Sequence, residues 1–236
     1  MCLHNSMSKR LEDLAFRYNK KIGEMPVPKE MVEENYHISA FGFPLCPLIT
    51  ADSFLSFSYW GLFPFWRKNG KPSNEEEEMA FNAESETVFR RNFFRSPATY
   101  RRCIIPSTGY FEWRYNANKT ITPYFIYKKD EDIFSLAGIC YNWSEDEGNT
   151  AKSTFSVITT KANSLLSFIH NGGYMPYRMP GILRKEDEKK WLNPLLGIDE
   201  VVSCLRPIED DLLDVYPLEN GFLKKSVKDC SLLNRA

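Results

Sequence analysis

The stretch from residue 101 to residue 113 shows the clearest hydrophobic pattern in the chain. Two apolar runs, rich in β-branched and aromatic residues, flank a Pro-Ser-Thr-Gly corner, and this predicts two strands joined by a tight turn. Because alternate side chains of a strand point to opposite faces, Glu112 is predicted to share a face with Tyr110, and Phe111 with Trp113. Glu112 then lies at an exposed edge, pairs with an arginine, or acts as an acid or base with a raised pKa. The stretch alone leaves these interpretations open.

Further elements are predicted on both sides of this stretch. A helix is predicted to begin at Ser6 or Ser8, because apolar residues recur at helical spacing from Leu11 to Tyr18. A solvated loop is predicted for residues 67–78. Residues 36–44 are predicted to form a strand followed by a turn. Strands are also predicted over residues 123–127, 133–141 and 154–160, and helices over residues 162–169 and 185–192. The simplest fold is one α+β domain over residues 1–236, with a strand-rich, barrel-like mixed sheet core flanked by short helices.

Composition narrows the classes of protein that fit. The chain has 236 residues, and 43% of them are hydrophobic, which is enough for a substantial core. A net charge of -1 excludes a globally basic nucleic-acid protein, although local basic patches stay possible. No apolar run approaches the roughly 20 residues that cross a membrane, and the N-terminus lacks the apolar core of a secretory signal. We therefore expect a cytoplasmic protein that does not associate with membranes.

The cysteines and histidines form no metal-binding pattern. The six cysteines are scattered without a CxxC pair, and the three histidines lack zinc-ligand spacing. His37 lies among apolar and aromatic neighbours and is interpreted as structural. GxGxxG and Walker motifs are also missing, so the sequence predicts neither a metal nor another cofactor.

Two stretches are candidates for contact with nucleic acid. Five arginines, with no acidic residue among them, lie between residues 90 and 102. A solvated helix face and a phosphate-binding groove explain this cluster equally well. The segment 54–66 is dense in aromatic residues, most of which belong in a core, while a minority such as Trp60 and Trp66 are candidates for stacking on bases.

Four signals occur in an order that resembles a known family. They are Met1-Cys2; Trp60-Gly61-Leu62-Phe63-Pro64 leading to Asn82-Ala83-Glu84-Ser85-Glu86-Thr87; Arg101-Arg102-Cys103-Ile104-Ile105-Pro106 with Gly109-Tyr110-Phe111-Glu112-Trp113; and Ile169-His170 followed by Arg178-Met179-Pro180. Each is weak alone, but the ordered set, spanning residue 2 to about residue 192, is specific. It is similar to the SRAP family, the SOS-response-associated peptidases or abasic-site-processing proteins.

The resemblance implies a function and a set of residues. Members of this family bind single-stranded DNA and trap abasic sites as a covalent DNA–protein crosslink that shields them from cleavage. The crosslinking residue would be Cys2, and the active-site trio would be Asn82, Glu112 and His170. We expect a monomer that is associated with the nucleoid when bound to DNA. The substrate-binding residues are predicted to be Trp60, Arg90, Arg91 and Arg178.

Residue chemistry makes this activity intelligible. Once Met1 is removed, the α-amine of Cys2 can form an imine with the aldehyde of an opened abasic sugar, and its thiol can close a thiazolidine. An α-amine with a reference pKa of ~8 has a usable neutral fraction near pH ~7. We expect Glu112 to move protons, His170 to protonate the sugar oxygen or support strand cleavage, and Asn82 to orient the amine or the backbone. β-Elimination (lyase) activity can accompany the imine, and Met1 release would account for the peptidase label.

The chain departs from the family pattern at several positions. Glu84 stands where members usually carry a basic residue that grips a phosphate, so this contact is expected to shift to Arg90, Arg91 or Arg178. Leu3 replaces a common glycine, and an insertion separates His170 from Arg178.

Two other classes of function are compatible with the residues. In a cysteine hydrolase, Cys2 and His170 would form a nucleophile–base pair acting on amides. In a non-covalent single-strand binder, the arginines and the Trp60/Trp66 aromatics would suffice. A stable adduct on Cys2, peptide turnover, or activity that survives Cys2→Ala would distinguish the three.

Overall fold

Strands dominate the computed structural model, which describes residues 2–62, 80–143 and 152–236. Within these ranges the strands are β1 (His4–Met7), β2 (Asn35–Ser39), β3 (Leu45–Leu48), β4 (Ser56–Trp60), β5 (Asn82–Glu84), β6 (Arg102–Ser107), β7 (Gly109–Tyr115), β8 (Ile121–Lys128), β9 (Phe134–Trp143), β10 (Lys152–Lys161), β11 (Arg178–Pro180), β12 (Ile182–Leu183) and β13 (Leu213–Pro217). The helices are α1 (Leu11–Tyr18), α2 (Asn92–Tyr100), α3 (Ser164–Ile169), α4 (Lys185–Leu192) and α5 (Ile198–Ser203). The α+β class is thus confirmed, whereas Trp66 and the loop predicted for residues 67–78 lie outside the described residues.

The strands form two sheets. One has the order β13-β8-β7-β1-β2, and the other has the order β12-β9-β10-β4-β3, with β5 and β11 paired to β10 and β6 paired to β9. The predicted barrel-like core is therefore built as two sheets, and within the described residues it does not close into a barrel. The larger sheet is nevertheless curved, since an isolated bridge joins Ile49, just after β3 at one end of the sheet, to Ile104 in β6 beside β9.

The two faces of β7 pack against different cores, as the alternation predicted. Tyr110 belongs to the main cluster of buried residues, which contains side chains from both sheets. Phe111 belongs to a second, smaller cluster with Phe125 and Phe222, and Trp113 packs against that cluster. Glu112, two residues after Tyr110, therefore faces the main core, and it is buried.

The N-terminal segment begins differently from the prediction. A strand, β1, occupies His4–Met7, and the helix begins only at Leu11. The Ser6 hydroxyl lies 3.0 Å from the Thr108 hydroxyl, and the Ser8 hydroxyl lies 3.2 Å from it. The serines are thus occupied by the corner between β6 and β7, and neither caps α1. The predicted helix start at Ser6 or Ser8 is wrong, because the hydroxyls that could have capped a helix form hydrogen bonds with Thr108 instead.

Asn5 fastens β1 to the same corner. Its side-chain amide donates to the Pro106 carbonyl at 3.2 Å and accepts from the Ser107 hydroxyl at 2.7 Å. In the sheet, Asn5 pairs with Tyr110, and Ser6 pairs with Gly109. These bonds fix the segment that directly follows Cys2.

Replacing Asn5 by alanine is expected to lower the free energy of unfolding by about 1–3 kcal/mol, because buried partners lose their hydrogen bonds. Ser8→Ala is the matched control, since it removes a half-exposed hydroxyl from the same corner and should cost less than about 0.5 kcal/mol. Urea unfolding of both variants measures the difference. Equal losses would contradict a special role for Asn5.

The helices in the described part of the chain do not meet the requirements for a membrane span. None of them combines the length and the apolar character that such a span requires.

Candidate active site

Strand β1 brings Cys2 to the face of β7 that carries Glu112. Cys2 lies three residues before Asn5, where the pairing with β7 begins, and the Leu3 carbonyl next to it accepts a hydrogen bond from the Ala40 amide at 2.9 Å. Cys2 is fully buried and Glu112 is 2% exposed. Burial raises the pKa of the Cys2 thiol, and the negative charge of Glu112 raises it further, so the two side chains interact electrostatically.

His170 completes this group from another part of the chain. It ends α3, a short helix that begins after Asn163, whose side chain accepts from the Leu166 amide at 2.9 Å. Its Nε2 lies 3.9 Å from Oε2 of Glu112, and its Nδ1 lies 2.9 Å from the Arg178 carbonyl oxygen. The Arg178 amide also approaches Nδ1, at 3.3 Å, and would need a lone pair there. The carbonyl contact is the shorter of the two and a carbonyl can only accept, so we assign the proton of a neutral imidazole to Nδ1, which leaves the lone pair of Nε2 toward Glu112.

Burial sets the charges of these groups. Desolvation raises the pKa of Glu112 to about 8 and lowers the pKa of His170 to about 4. At neutral pH the proton therefore resides on the Glu112 carboxyl, and the imidazole is uncharged. The thiol of Cys2 is also protonated, so it needs a base before it can attack. Burial excludes an exposed edge, and no arginine pairs with Glu112 among the described residues, so the raised pKa is the part of the third interpretation that the structure supports. The role of Glu112 as an acid or base stays a prediction.

Asn82 lies at the start of β5, which runs parallel to β10 with Asn82 opposite Val157. Both polar atoms of its side-chain amide are buried without a hydrogen-bond partner. Within the described residues, no hydrogen bond joins this amide to Cys2, Glu112 or His170. The predicted orienting role of Asn82 stays a prediction.

Arg178 has a different environment from the one predicted. Its guanidinium donates to both carboxylate oxygens of Glu86, at 2.7 and 2.9 Å, and to the Thr159 carbonyl at 2.7 Å. A guanidinium so engaged is not available for a DNA phosphate unless Glu86 is displaced. Its main-chain carbonyl contacts His170, and the predicted role of its side chain in substrate binding stays a prediction.

Trp60 does not offer a surface for a base. It is 1% exposed, its Nε1 donates to the Phe81 carbonyl at 3.0 Å, and its ring stacks on Phe155 at a centroid distance of 5.7 Å. The ring is therefore not accessible in this structure, and the predicted substrate-binding role of Trp60 stays a prediction that this burial disfavours.

The arginine cluster divides into two kinds. Arg102 is buried and donates to four main-chain carbonyls, those of Ala98, Thr99, Trp191 and Asn193. It therefore joins α2 to the C-terminal end of α4 and is structural. The exposed members flank or lie on α2, and they are Arg90, Arg91, Arg95 and Arg101. Phosphate contacts by Arg90 and Arg91 stay a prediction. Their exposure leaves both side chains accessible to a phosphate.

Sequence reasoning missed the functional potential of Glu86 and Tyr110. Glu86 lies within the motif that begins at Asn82, but its pairing with Arg178 joins residues 92 positions apart and leaves no local signal. Tyr110 was placed on the Glu112 face, which was the available signal. Among the described residues, no group of three or more His, Cys, Asp or Glu is arranged to hold a metal ion.

The fold and the site define an α+β protein with a buried N-terminal thiol, a neutral carboxylic acid and a neutral imidazole. The family model "SOS response associated peptidase (SRAP)" matches residues 1–223, and the chain belongs to this family. The resemblance drawn from the ordered motifs is thereby confirmed.

Individual relatives agree with this assignment. The chain is 31% identical to the abasic site processing protein YoqW of Bacillus subtilis over 226 residues, covering 93% of each chain. It is 28% identical to the abasic site processing protein HMCES of Gallus gallus, covering 64% of this chain and 49% of that protein. A crystal structure of a protein from Bacteroides thetaiotaomicron superimposes with a TM-score of 0.93 and 42% identity over 100% of both chains.

Proposed function

We propose that this protein processes abasic sites in single-stranded DNA by capturing the sugar aldehyde as a thiazolidine on Cys2. The observation that carries the proposal is the placement of Cys2 beside Glu112, whose carboxyl lies 3.9 Å from His170. The family and the names of YoqW and HMCES support the substrate class. Removal of Met1 is a condition of the chemistry, because only then is the α-amine of Cys2 free.

The first step joins the amine to the sugar. The α-amine of Cys2 attacks C1′ of the open aldehyde and forms a carbinolamine, which loses its oxygen as water to give a protonated imine. The leaving oxygen needs a proton, and Glu112 holds one at neutral pH because its pKa is raised to about 8. General acid catalysis of this kind contributes about 10²–10⁴-fold to a rate.

The second step closes the ring. The ionised Glu112 left by the first step accepts the thiol proton of Cys2, and the sulfur adds to the imine carbon. The electron pair of the C=N bond moves to nitrogen, which already carries a hydrogen and becomes the neutral ring amine. One amine, one aldehyde and one thiol thus give a thiazolidine and one water, and Glu112 can finish in its starting protonation state.

His170 is suited to the opening of the sugar. Its Nε2 faces Glu112 and its Nδ1 is held by the Arg178 carbonyl, so a proton relayed from Glu112 to Nε2 can reach the sugar ring oxygen. The imine also acidifies the C–H bond at C2′, so strand cleavage by β-elimination competes until the ring closes. We infer that any lyase activity belongs to this competing step.

The site is less suited to a cysteine hydrolase. That mechanism starts from a thiolate paired with an imidazolium. Here burial raises the pKa of Cys2 and lowers the pKa of His170 to about 4, so both groups are neutral at pH ~7. Capture of an aldehyde needs no preformed ion pair and fits these charges better.

Intact-mass analysis tests the proposal. The protein is incubated with a single-stranded oligonucleotide that contains one abasic site, or with the same oligonucleotide carrying a tetrahydrofuran analogue that cannot open to an aldehyde. We expect the protein without Met1 to gain the mass of the abasic oligonucleotide less one water, and to gain nothing from the analogue. The proposal fails if no adduct forms, or if peptide mapping places the adduct on a residue other than Cys2.

A further inference from the structure

Tyr110 carries a buried hydroxyl that has no partner in the described structure. The residue is fully buried, and its OH is among the side-chain atoms that make no hydrogen bond. Other tyrosine hydroxyls are satisfied: Tyr18 bonds with the Ser135 hydroxyl at 2.9 Å, and Tyr216 donates to the Leu233 carbonyl at 3.0 Å. Folding an unpaired hydroxyl into a protein interior is unfavourable, so each such atom requires an explanation.

The position of this hydroxyl suggests one. Tyr110 lies two residues before Glu112 on β7, so both side chains extend from the same face of the strand. Burial, and then the charges of Cys2 and Glu112, raise the pKa of Tyr110 well above its ordinary value. The phenol is therefore neutral, can both donate and accept, and belongs to the same electrostatic environment as the proposed nucleophile.

The unpaired phenol is accompanied by other unpaired atoms of proposed site residues. Oε1 of Glu112 is buried without a partner, and so are both polar atoms of the Asn82 amide. Together these atoms offer donors and acceptors that the folded chain leaves unused. A purely apolar aldehyde would leave them unpaired, whereas a ligand with its own hydroxyl groups would satisfy some of them.

We propose that the Tyr110 hydroxyl is a specificity-determining contact that binds the hydroxyl group of the opened deoxyribose. This inference rests on the function proposed above and adds the substrate class to it: a hydroxyl-bearing aldehyde rather than aldehydes in general. Opening the abasic sugar converts its ring oxygen into a C4′ hydroxyl, which can donate to and accept from a phenol. The contact leaves the covalent steps unchanged and orients the sugar before they occur.

A comparison of two aldehydes tests the contact. Protein without Met1 is treated with 2-deoxyribose or with butanal at equal concentrations of open-chain aldehyde, and adduct formation on Cys2 is followed by intact mass. Tyr110→Phe is expected to slow the reaction with 2-deoxyribose about tenfold while changing the reaction with butanal less than about twofold. Tyr18→Phe is the matched control, because it removes a hydroxyl outside the site, and it should leave the ratio of the two rates unchanged.

The outcomes separate this inference from the function on which it rests. The sugar contact is overturned if the ratio of the 2-deoxyribose rate to the butanal rate is the same in Tyr110→Phe and in the wild type. This holds whether both rates fall together or neither falls. A wild-type protein that forms no adduct with either aldehyde overturns the proposed function and the inference with it. Rates are normalised to the folded fraction from calorimetry, and removal of an unpaired hydroxyl should leave the melting temperature equal or higher.

Discussion

Replacing Cys2 by alanine is expected to reduce the heat-stable crosslink to abasic DNA to background. Without the sulfur, an N-terminal alanine can still form an imine, but it cannot close the five-membered ring. The imine hydrolyses or allows β-elimination, so strand cleavage should rise as the crosslink disappears. Denaturing gels of an end-labelled abasic oligonucleotide measure both products in the same lane.

A second buried cysteine provides the control. Cys46 in β3 is 4% exposed and lies 3.7 Å from the Pro44 carbonyl, so Cys46→Ala removes a buried thiol of the same size. It should crosslink like the wild type. Affinity for the tetrahydrofuran oligonucleotide should be similar for both variants, because no covalent bond is involved. A Cys2→Ala protein that still gives a heat-stable crosslink would show that another residue captures the sugar.

Glu112→Gln is expected to slow crosslinking by about 10²–10⁴-fold, the contribution of a positioned general acid and base. The amide keeps the size of the side chain but cannot donate an acidic proton or accept the thiol proton. In the wild type the acid is present below pH 8 and is lost as the pH rises through its pKa of about 8. The crosslinking rate of the wild type should therefore fall as the pH rises above about 8, and the pH profile of Glu112→Gln should lack this fall.

Stability provides an independent check on this substitution. A carboxyl whose pKa rises on folding stabilises the protein fully below its unfolded pKa, and that stabilisation is lost as pH rises through the folded pKa. Glu112→Gln should thus melt at a temperature equal to or above that of the wild type at alkaline pH. Glu33→Gln is the control for burial, since Glu33 is 5% exposed and accepts from the Leu11 amide, and its crosslinking rate should change less than about twofold. An unchanged rate in Glu112→Gln would remove this residue from the mechanism.

Local periodicity was sufficient to predict the central part of the fold. The alternation along β7 placed Tyr110 and Glu112 on one face and Phe111 and Trp113 on the other, and the packing clusters agree. The helix over residues 185–192 was also found with its predicted bounds. Such patterns are encoded by neighbouring residues, so one sequence can reveal them.

Features that depend on distant partners were missed. Ser6 and Ser8 resembled helix caps, yet they bond a corner about 100 residues away. The aromatic character of Trp60 gave no information on which strand would cover its ring. At the site, the motifs identified Cys2, Glu112 and His170 as candidates, but only the fold could show that burial places the resting proton on the carboxyl.

Under the proposed function, the pairing of Arg178 with Glu86 has a consequence for the salt dependence of DNA binding. A positive charge neutralised within the protein displaces no counterions from DNA, so it adds nothing to the salt dependence of binding. If each of the four exposed arginines (Arg90, Arg91, Arg95 and Arg101) neutralises one phosphate, a plot of log affinity for a single strand against log salt concentration would have a slope of about −3. Under the proposed function, binding that weakens so steeply with salt would keep the protein on intact DNA only briefly, and only a strand that carries an aldehyde would form the long-lived covalent complex.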